Sequence, residues 1–235
     1  MTVLPPLRRR QSGTFLYQVV RYRNVPRARG KMSRVHERPT PTAEPAAAGH
    51  RQRLLDAMAD CIVETGFARV TVADVVRVAA TSRRTFYQHF TDIEDCLKAL
   101  YSDSVRIIID TIRQAVDPAA ASEDRVRAAV HAWISVCEQR PALTSALTRE
   151  FAALGPKSWV LHFQYAEDYR ALIQKLTETH QLPDTGPAPV TLLRVVMLLG
   201  ALNELLTFAV HRGIPLHEIS DEAVNVALMM LGPPL

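Results

Sequence analysis

The sequence predicts an all-α protein, with an N-terminal three-helix helix-turn-helix domain followed by a larger helical bundle. Three observations carry this. Apolar residues recur with helical period over most of the chain, β-branched runs bounded by turn signals are absent, and prolines fall at the ends of periodic segments.

Order is expected from about His50. Before it, residues 1–48 show no sustained period, and "ERPTPTAEPAAAG" (37–49) reads as a Pro/Ala-rich linker, so residues 1–48 are expected to be a disordered basic extension. Met32, followed by "SRVHERPTP", offers a second start that would make residues 1–31 an over-extended gene. A basic arm touching DNA phosphates is the competing reading, and both stay open.

"RQRLLDAMADCIVETGF" then sets Leu54, Leu55, Met58, Ala59, Ile62 and Val63 on one face and stops at Gly66. Thr71-x-x-Asp74 is a capping-box pattern opening a short helix with Val72, Val75, Val76 and Ala79 at i, i+3, i+4, i+7. Ser82 caps a third helix ending at Phe90. Thr91-x-x-Glu94 reads as a second capping box, starting a long helix over about 92–116. Beyond Pro118, helices are expected at about 122–139, 141–153, 156–180, 188–212 and 217–231, with prolines near their boundaries.

Charge divides the chain. Residues 1–50 carry nine Arg and one Lys against Glu37 and Glu44, whereas the other 185 residues hold 18 basic and 22 acidic groups. The high pI therefore belongs to the extension, and a case for nucleic-acid binding by the folded part must rest on local placement. Cys61, Cys96 and Cys137 lack metal-ligand or redox spacing and read as buried thiols of a cytoplasmic protein. The apolar run 190–210 is long enough to span a membrane, but Arg194, Asn203 and Glu204 would be costly there, so no membrane partner is expected. No cofactor or metal is expected either.

"SRRTFYQHF" (82–90) holds two arginines and no acid. A recognition helix needs one apolar face to lock onto its domain and an opposite face offering donors to phosphates and base edges. Phe86 and Phe90 supply the first. Ser82, Arg83, Arg84, Thr85, Tyr87, Gln88 and His89 supply the second, and Thr71, opening the preceding helix, is placed for a backbone contact. A solvated basic face is the competing reading. The small-polar start, the absence of acid and the capped short helix before it together favour DNA.

The stretch "TVADVVRVAATSRRTFYQHFTDIEDCLKALY" (71–101) resembles the DNA-binding domain of the TetR family of bacterial transcriptional regulators. The match rests on Thr71, Val72, Asp74, Val75, Ala79, Ser82, Thr85, Phe86, Tyr87, His89, Phe90, Asp92, Glu94 and Leu97, with Gly66-Phe67 before it. The resemblance implies a reader at 49–95 and an effector-binding and dimerisation bundle at 96–235. It also implies a homodimer through the last two long helices, and an inverted-repeat operator on double-stranded DNA. A small-molecule effector would release the operator, which makes repression the default. Three departures stand out. Ala79-Ala80-Thr81-Ser82 replaces a turn that usually carries glycine, Arg84 stands where glycine is frequent, and Ile93 replaces a common lysine. Arg51 and Arg53 are expected to add phosphate contacts, since basic and acidic groups balance at seven each over 51–101.

Within the bundle, Trp133, Trp159, Phe163, Tyr169, Asn203 and Arg106 are candidates to line an apolar effector pocket, with Tyr165, His131 and Gln164 nearby in sequence. Each aromatic taken singly is as well explained by core packing. Leu193, Val196, Met197, Gly200, Ala201 and Leu205 form a stripe suited to burial between subunits. A DNA-binding regulator without effector is the main alternative. An enzyme using Cys137 and His131 is disfavoured, because the two fall on different faces of one helix.

Overall fold

Capped ends and apolar stripes turn the sequence into nine α-helices and two 3-10 turns among the described residues, which in this computed structural model are 43–177 and 190–231. In order these are α1 (Ala43–Thr65), α2 (Val72–Val78), α3 (Arg83–His89), α4 (Ile93–Ala115), α5 (Ser122–Gln139), α6 (Pro141–Ala153), α7 (Pro156–Thr177), α8 (Leu192–Arg212) and α9 (Ser220–Leu231). The extension 1–42 lies outside the described residues.

Two boundaries differ from expectation. Helix α1 begins at Ala43, inside the expected linker. Its alanines are strong helix formers, and Pro45 falls in the first turn, where a missing N–H costs no internal bond. The long fourth helix is capped by Asp92 rather than Thr91. The Asp92 carboxylate accepts the Asp95 N–H at 2.8 Å, and the Asp95 carboxylate reaches back to the Thr91 N–H at 2.9 Å. Two aspartates one residue out of step thus do the work assigned to Thr91 and Glu94.

The turn between α2 and α3 is a Schellman motif. The Thr81 N–H donates to the Val76 carbonyl at 3.0 Å and the Ala80 N–H to that of Arg77 at 3.3 Å. Closing it forces Ala80 to φ 48°, the left-handed region that glycine adopts without a Cβ penalty. Helix α8 ends in the same way, with Ile214 bonded to Ala209 at 2.9 Å, but there the left-handed residue is Gly213 at φ 67°.

Hydrophobic burial forms two clusters. The first gathers Leu54, Leu55, Met58 and Ile62 of α1, Val75 of α2, Phe86 of α3, and Cys96, Leu97 and Leu100 of α4. Val63, expected on that face, is 44% exposed. Leu143, Ala146 and Leu147 of α6 enter the same cluster. The three-helix reader is therefore completed by the start of α4 and by a helix some forty-five residues further along the sequence. The second cluster begins at Val105 on α4 and draws on α5, α7, α8 and α9, with Trp133, Ile134 and Cys137 among its buried members. Tyr101 packs against both.

Helix α8 is the one described helix long and apolar enough to cross a membrane. Val195, Leu198, Leu202, Leu206 and Ala209 bury one side of it in the second cluster. Its other side leaves Leu193 75% and Met197 58% exposed.

Candidate nucleic-acid interface

The recognition element is built from the inside outward. Phe86 is fully buried and Phe90 nearly so, their rings 5.5 Å apart, which fixes α3 on the reader core. Ser82 takes up the free end of the helix, its Oγ accepting the Thr85 N–H at 3.0 Å and lying 2.9 Å from Thr85 Oγ1. With that side anchored, Arg83, Arg84, Tyr87 and Gln88 are all exposed at i, i+1, i+4 and i+5, on one face. Thr85 and His89 are half-buried at its margin. Burial, helped by the charges of His50 and Arg51, pushes the His89 pKa down, so its imidazole is neutral at physiological pH.

Charge placement separates α3 from its surroundings. Arg51 pairs with Asp103 at 2.8 Å and Arg77 with Asp74 at 3.6 Å, whereas Arg83 and Arg84 enter no ion pair among the described residues. A cation with no internal partner, on a segment with no acid, is open to a phosphate or a guanine edge.

Two other residues expected at the interface are committed elsewhere. The Arg51 guanidinium, besides its pair with Asp103, lies 5.8 Å from the centre of the Phe90 ring. It joins α1 to α4 instead of standing free. The Thr71 hydroxyl donates to Asp74 Oδ2 at 2.6 Å and accepts the Asp74 N–H at 3.3 Å, a completed capping box that holds the Asp74 carboxyl below its usual range. Sequence spacing identified that box, but not that it uses up the hydroxyl.

The bundle candidates separate as well. Trp133 is 8% exposed and sits in the second cluster. Trp159 and Phe163, 59% and 47% exposed, stack edge-on at 6.0 Å on the outer side of α7, because the apolar face of that helix turns inward through Ala166, Leu172, Ile173 and Leu176 instead. Arg106 is exposed and 3.5 Å from Asp103. Asn203 is half-buried on α8 and Tyr169 half-buried on α7. Tyr101 and Phe151 were missed: their rings stack at 3.8 Å with planes 4° apart. The only sequence signal for that pair is an aromatic at helical spacing on each of two helices.

Cys137 is fully buried, its thiol pushed up to about 12 by burial, and His131 is exposed on the other side of α5. A protonated, inaccessible thiol cannot serve as a nucleophile.

A capped short helix, a tight turn and an anchored helix with free outward arginines define a helix-turn-helix DNA-binding regulator. Residues 54–100 match the family profile described as bacterial regulatory proteins, tetR family. The match covers the reader and the start of α4, and over those residues the chain is similar to that family. Comparison with curated proteins gives no match. Among solved structures, the fold resembles the fatty acid degradation regulator FadR from Bacillus halodurans, with TM-score 0.64 and 19% identity over 83% of this chain and 97% of that one. FadR from Bacillus subtilis, solved in complex with stearoyl-CoA, gives TM-score 0.65 at 17% identity over 75% and 96%. A regulatory protein in the tetR family from Rhodococcus RHA1 gives 0.60 at 19% over 79% and 98%.

Proposed function

We propose that the protein is a cytoplasmic homodimeric repressor. It would bind an inverted-repeat operator through two copies of α3 and leave it when a small, largely apolar molecule enters the bundle. The observation that carries the DNA half is the outward face of Arg83, Arg84, Tyr87 and Gln88, with no acid paired to it among the described residues and locked in place by Phe86 and Phe90. Ser82, Thr85 and His89 border that face, and Arg53 is exposed on α1.

Dimerisation is supported by the outer side of α8 and α9. Leu193, Val196, Met197, Phe208 and Met229 are all at least 36% exposed, an apolar face better covered than left in water. Pairing through these helices would set two readers on successive major grooves. An apolar effector is supported by the character of the second cluster and by the stearoyl-CoA held by one protein of similar fold.

Selection of bound sites from a random DNA pool tests the reading. A short inverted repeat should emerge, and Arg83→Ala, or Tyr87→Phe combined with Thr85→Ala, should abolish its binding. Recovery of no symmetric site would sink it.

A further inference from the structure

The reader carries little free positive charge for a domain that must sit on phosphates. Arg51 is held by Asp103 at 2.8 Å and Arg77 by Asp74 at 3.6 Å, and Arg69 donates through Nε to the Thr65 carbonyl at 2.8 Å. Arg53, Arg83 and Arg84 are exposed and enter no ion pair among the described residues. The last two share the face of α3 proposed to meet base edges. Roughly half or more of the hydrogen bonds in a protein–DNA interface go to phosphate and sugar, and these set the register of the protein on the duplex. The reader has few cations left for them.

That charge stands just ahead of the reader in the chain. Residues 1–42 hold nine Arg and Lys31 against a single acid, Glu37. Residues 1–31 hold eight of these basic groups and no acid, clustered as "RRR" (8–10), "RYR" (21–23) and "RARGK" (27–31). The fold receives this segment beside the recognition helix. Helix α1 starts at Ala43, no residue from Gly49 to Arg53 is buried, and Leu54 is the first member of the reader core. This unburied stretch runs along the end of α3. The Arg51 guanidinium lies 5.8 Å from the centre of the Phe90 ring, and His50 and Arg51 are close enough to His89 for their charge to be felt there. Arg38 and Arg34 precede Ala43 by five and nine residues. Chain geometry tethers them within about 18 and 32 Å of the helix start, and half a turn of duplex is about 17 Å.

We infer that residues 1–42 are a second DNA-binding element, an arm whose guanidinium groups pair with phosphates of the duplex flanking each half-site. The inference rests on the reading of α3 as a recognition helix. Tethering is what selects DNA among polyanions. Once α3 is docked, the attached arm meets the flanking duplex at an effective concentration on the order of millimolar, so individually weak phosphate contacts become occupied. An RNA or an anionic lipid surface gains nothing from that tether. Phosphates carry no base identity, so the arm adds affinity and salt dependence and leaves the choice of sequence to α3.

Titration of labelled duplexes with the full chain and with a chain beginning at Met32, over about 50 to 200 mM salt, tests this. Both chains keep every described residue. One duplex is the operator selected from the random pool with roughly one helical turn of flanking DNA on each side, and a second has the same length and a scrambled sequence. On the flanked operator the shorter chain should bind at least about tenfold more weakly, with a salt slope shallower by about 0.9 for each phosphate it no longer neutralises. Trimming the flanks should weaken the full chain to the level of the shorter one and leave the shorter one unchanged. Arg8→Gln combined with Arg9→Gln and Arg10→Gln removes charge without length, and should also make the slope shallower. Equal slopes and affinities for the two chains, indifference of the full chain to trimming, or a different half-site selected by the shorter chain would each overturn the inference. So would tighter binding of the full chain to phosphatidylglycerol vesicles than to the flanked operator at the same salt. The scrambled duplex separates the two readings, because phosphate contacts persist on it. Recovery of no inverted repeat, with the slope difference intact on scrambled DNA, removes the operator reading and keeps the arm. An inverted repeat bound with equal slopes by both chains removes the arm and keeps the operator reading.

Discussion

Arg51 reaches across from α1 to place its guanidinium 2.8 Å from the Asp103 carboxylate of α4, with the face of Phe90 5.8 Å away. The two side chains are 40% and 20% exposed, so the pair is partly screened by water. Arg51→Ala should therefore cost about 1 kcal/mol of stability, measured by urea unfolding. The same variant should leave the salt dependence of operator binding unchanged, because the guanidinium already has an anion. A slope reduced by about 0.9 would instead return Arg51 to the phosphate backbone.

The left-handed Ala80 is a second place where local cost is visible. Gly213 occupies the equivalent position of the other Schellman turn and has no Cβ to strain, while Ala80 holds φ 48° with one. Ala80→Gly should stabilise the fold by about 1 kcal/mol, and Gly213→Ala should destabilise it by a similar amount. Denaturant midpoints for the two variants, shifting in opposite directions, check this. Movement of both in the same direction would mean that the turn conformation does not set the energy.

Alkaline instability follows from the buried thiols. Burial raises Cys96 and Cys137 to about 12 from an ordinary value of 9.0. Folding therefore favours their protonated forms, and this contribution is complete below pH 9, where the unfolded chain also keeps its protons. Above pH 9 the unfolded thiols ionise first, so stability falls until the folded thiols titrate near 12. The expected slope approaches about 1.4 kcal/mol per pH unit for each thiol. Urea unfolding at pH 8, 9.5 and 10.5 measures it; burial raises Cys61, Tyr101, Tyr165 and Tyr169 as well, so Cys96→Ala should lower the slope without abolishing it. A flat profile would show that these buried groups ionise equally in both states.

Helix ends were the most legible part of the sequence, because Thr71, Ser82 and the prolines act within one turn of chain. The Asp92 cap shows the limit of that legibility. Several adjacent polar residues can satisfy the same orphan N–H groups, and only the backbone path chooses among them. Periodicity also identified Phe86 and Phe90 as anchors, but it says which side of a helix is apolar and not what that side meets. It could not show that α6 shares the reader core, nor that Trp159 faces outward while Trp133 faces in. Arg51 and Arg83 look alike in sequence. They differ because Asp103, fifty-two residues from Arg51, comes within reach of one and not the other.

That difference makes Arg84 the informative position on α3. It is exposed beside Arg83, enters no ion pair among the described residues, and sits on the face shared with Tyr87 and Gln88. An arginine aimed at a base edge pairs best with guanine through O6 and N7, worth about 1–3 kcal/mol of discrimination, whereas one aimed at phosphate reads no sequence. Arg84→Ala should therefore relax the selected operator at one position in each half-site, with affinity for the parental site falling about 5- to 150-fold. The salt slope should change little. Uniform weakening across sequences, with the slope lowered by about 0.9 for each reader, would make Arg84 a phosphate contact and leave base reading to Arg83 and Gln88.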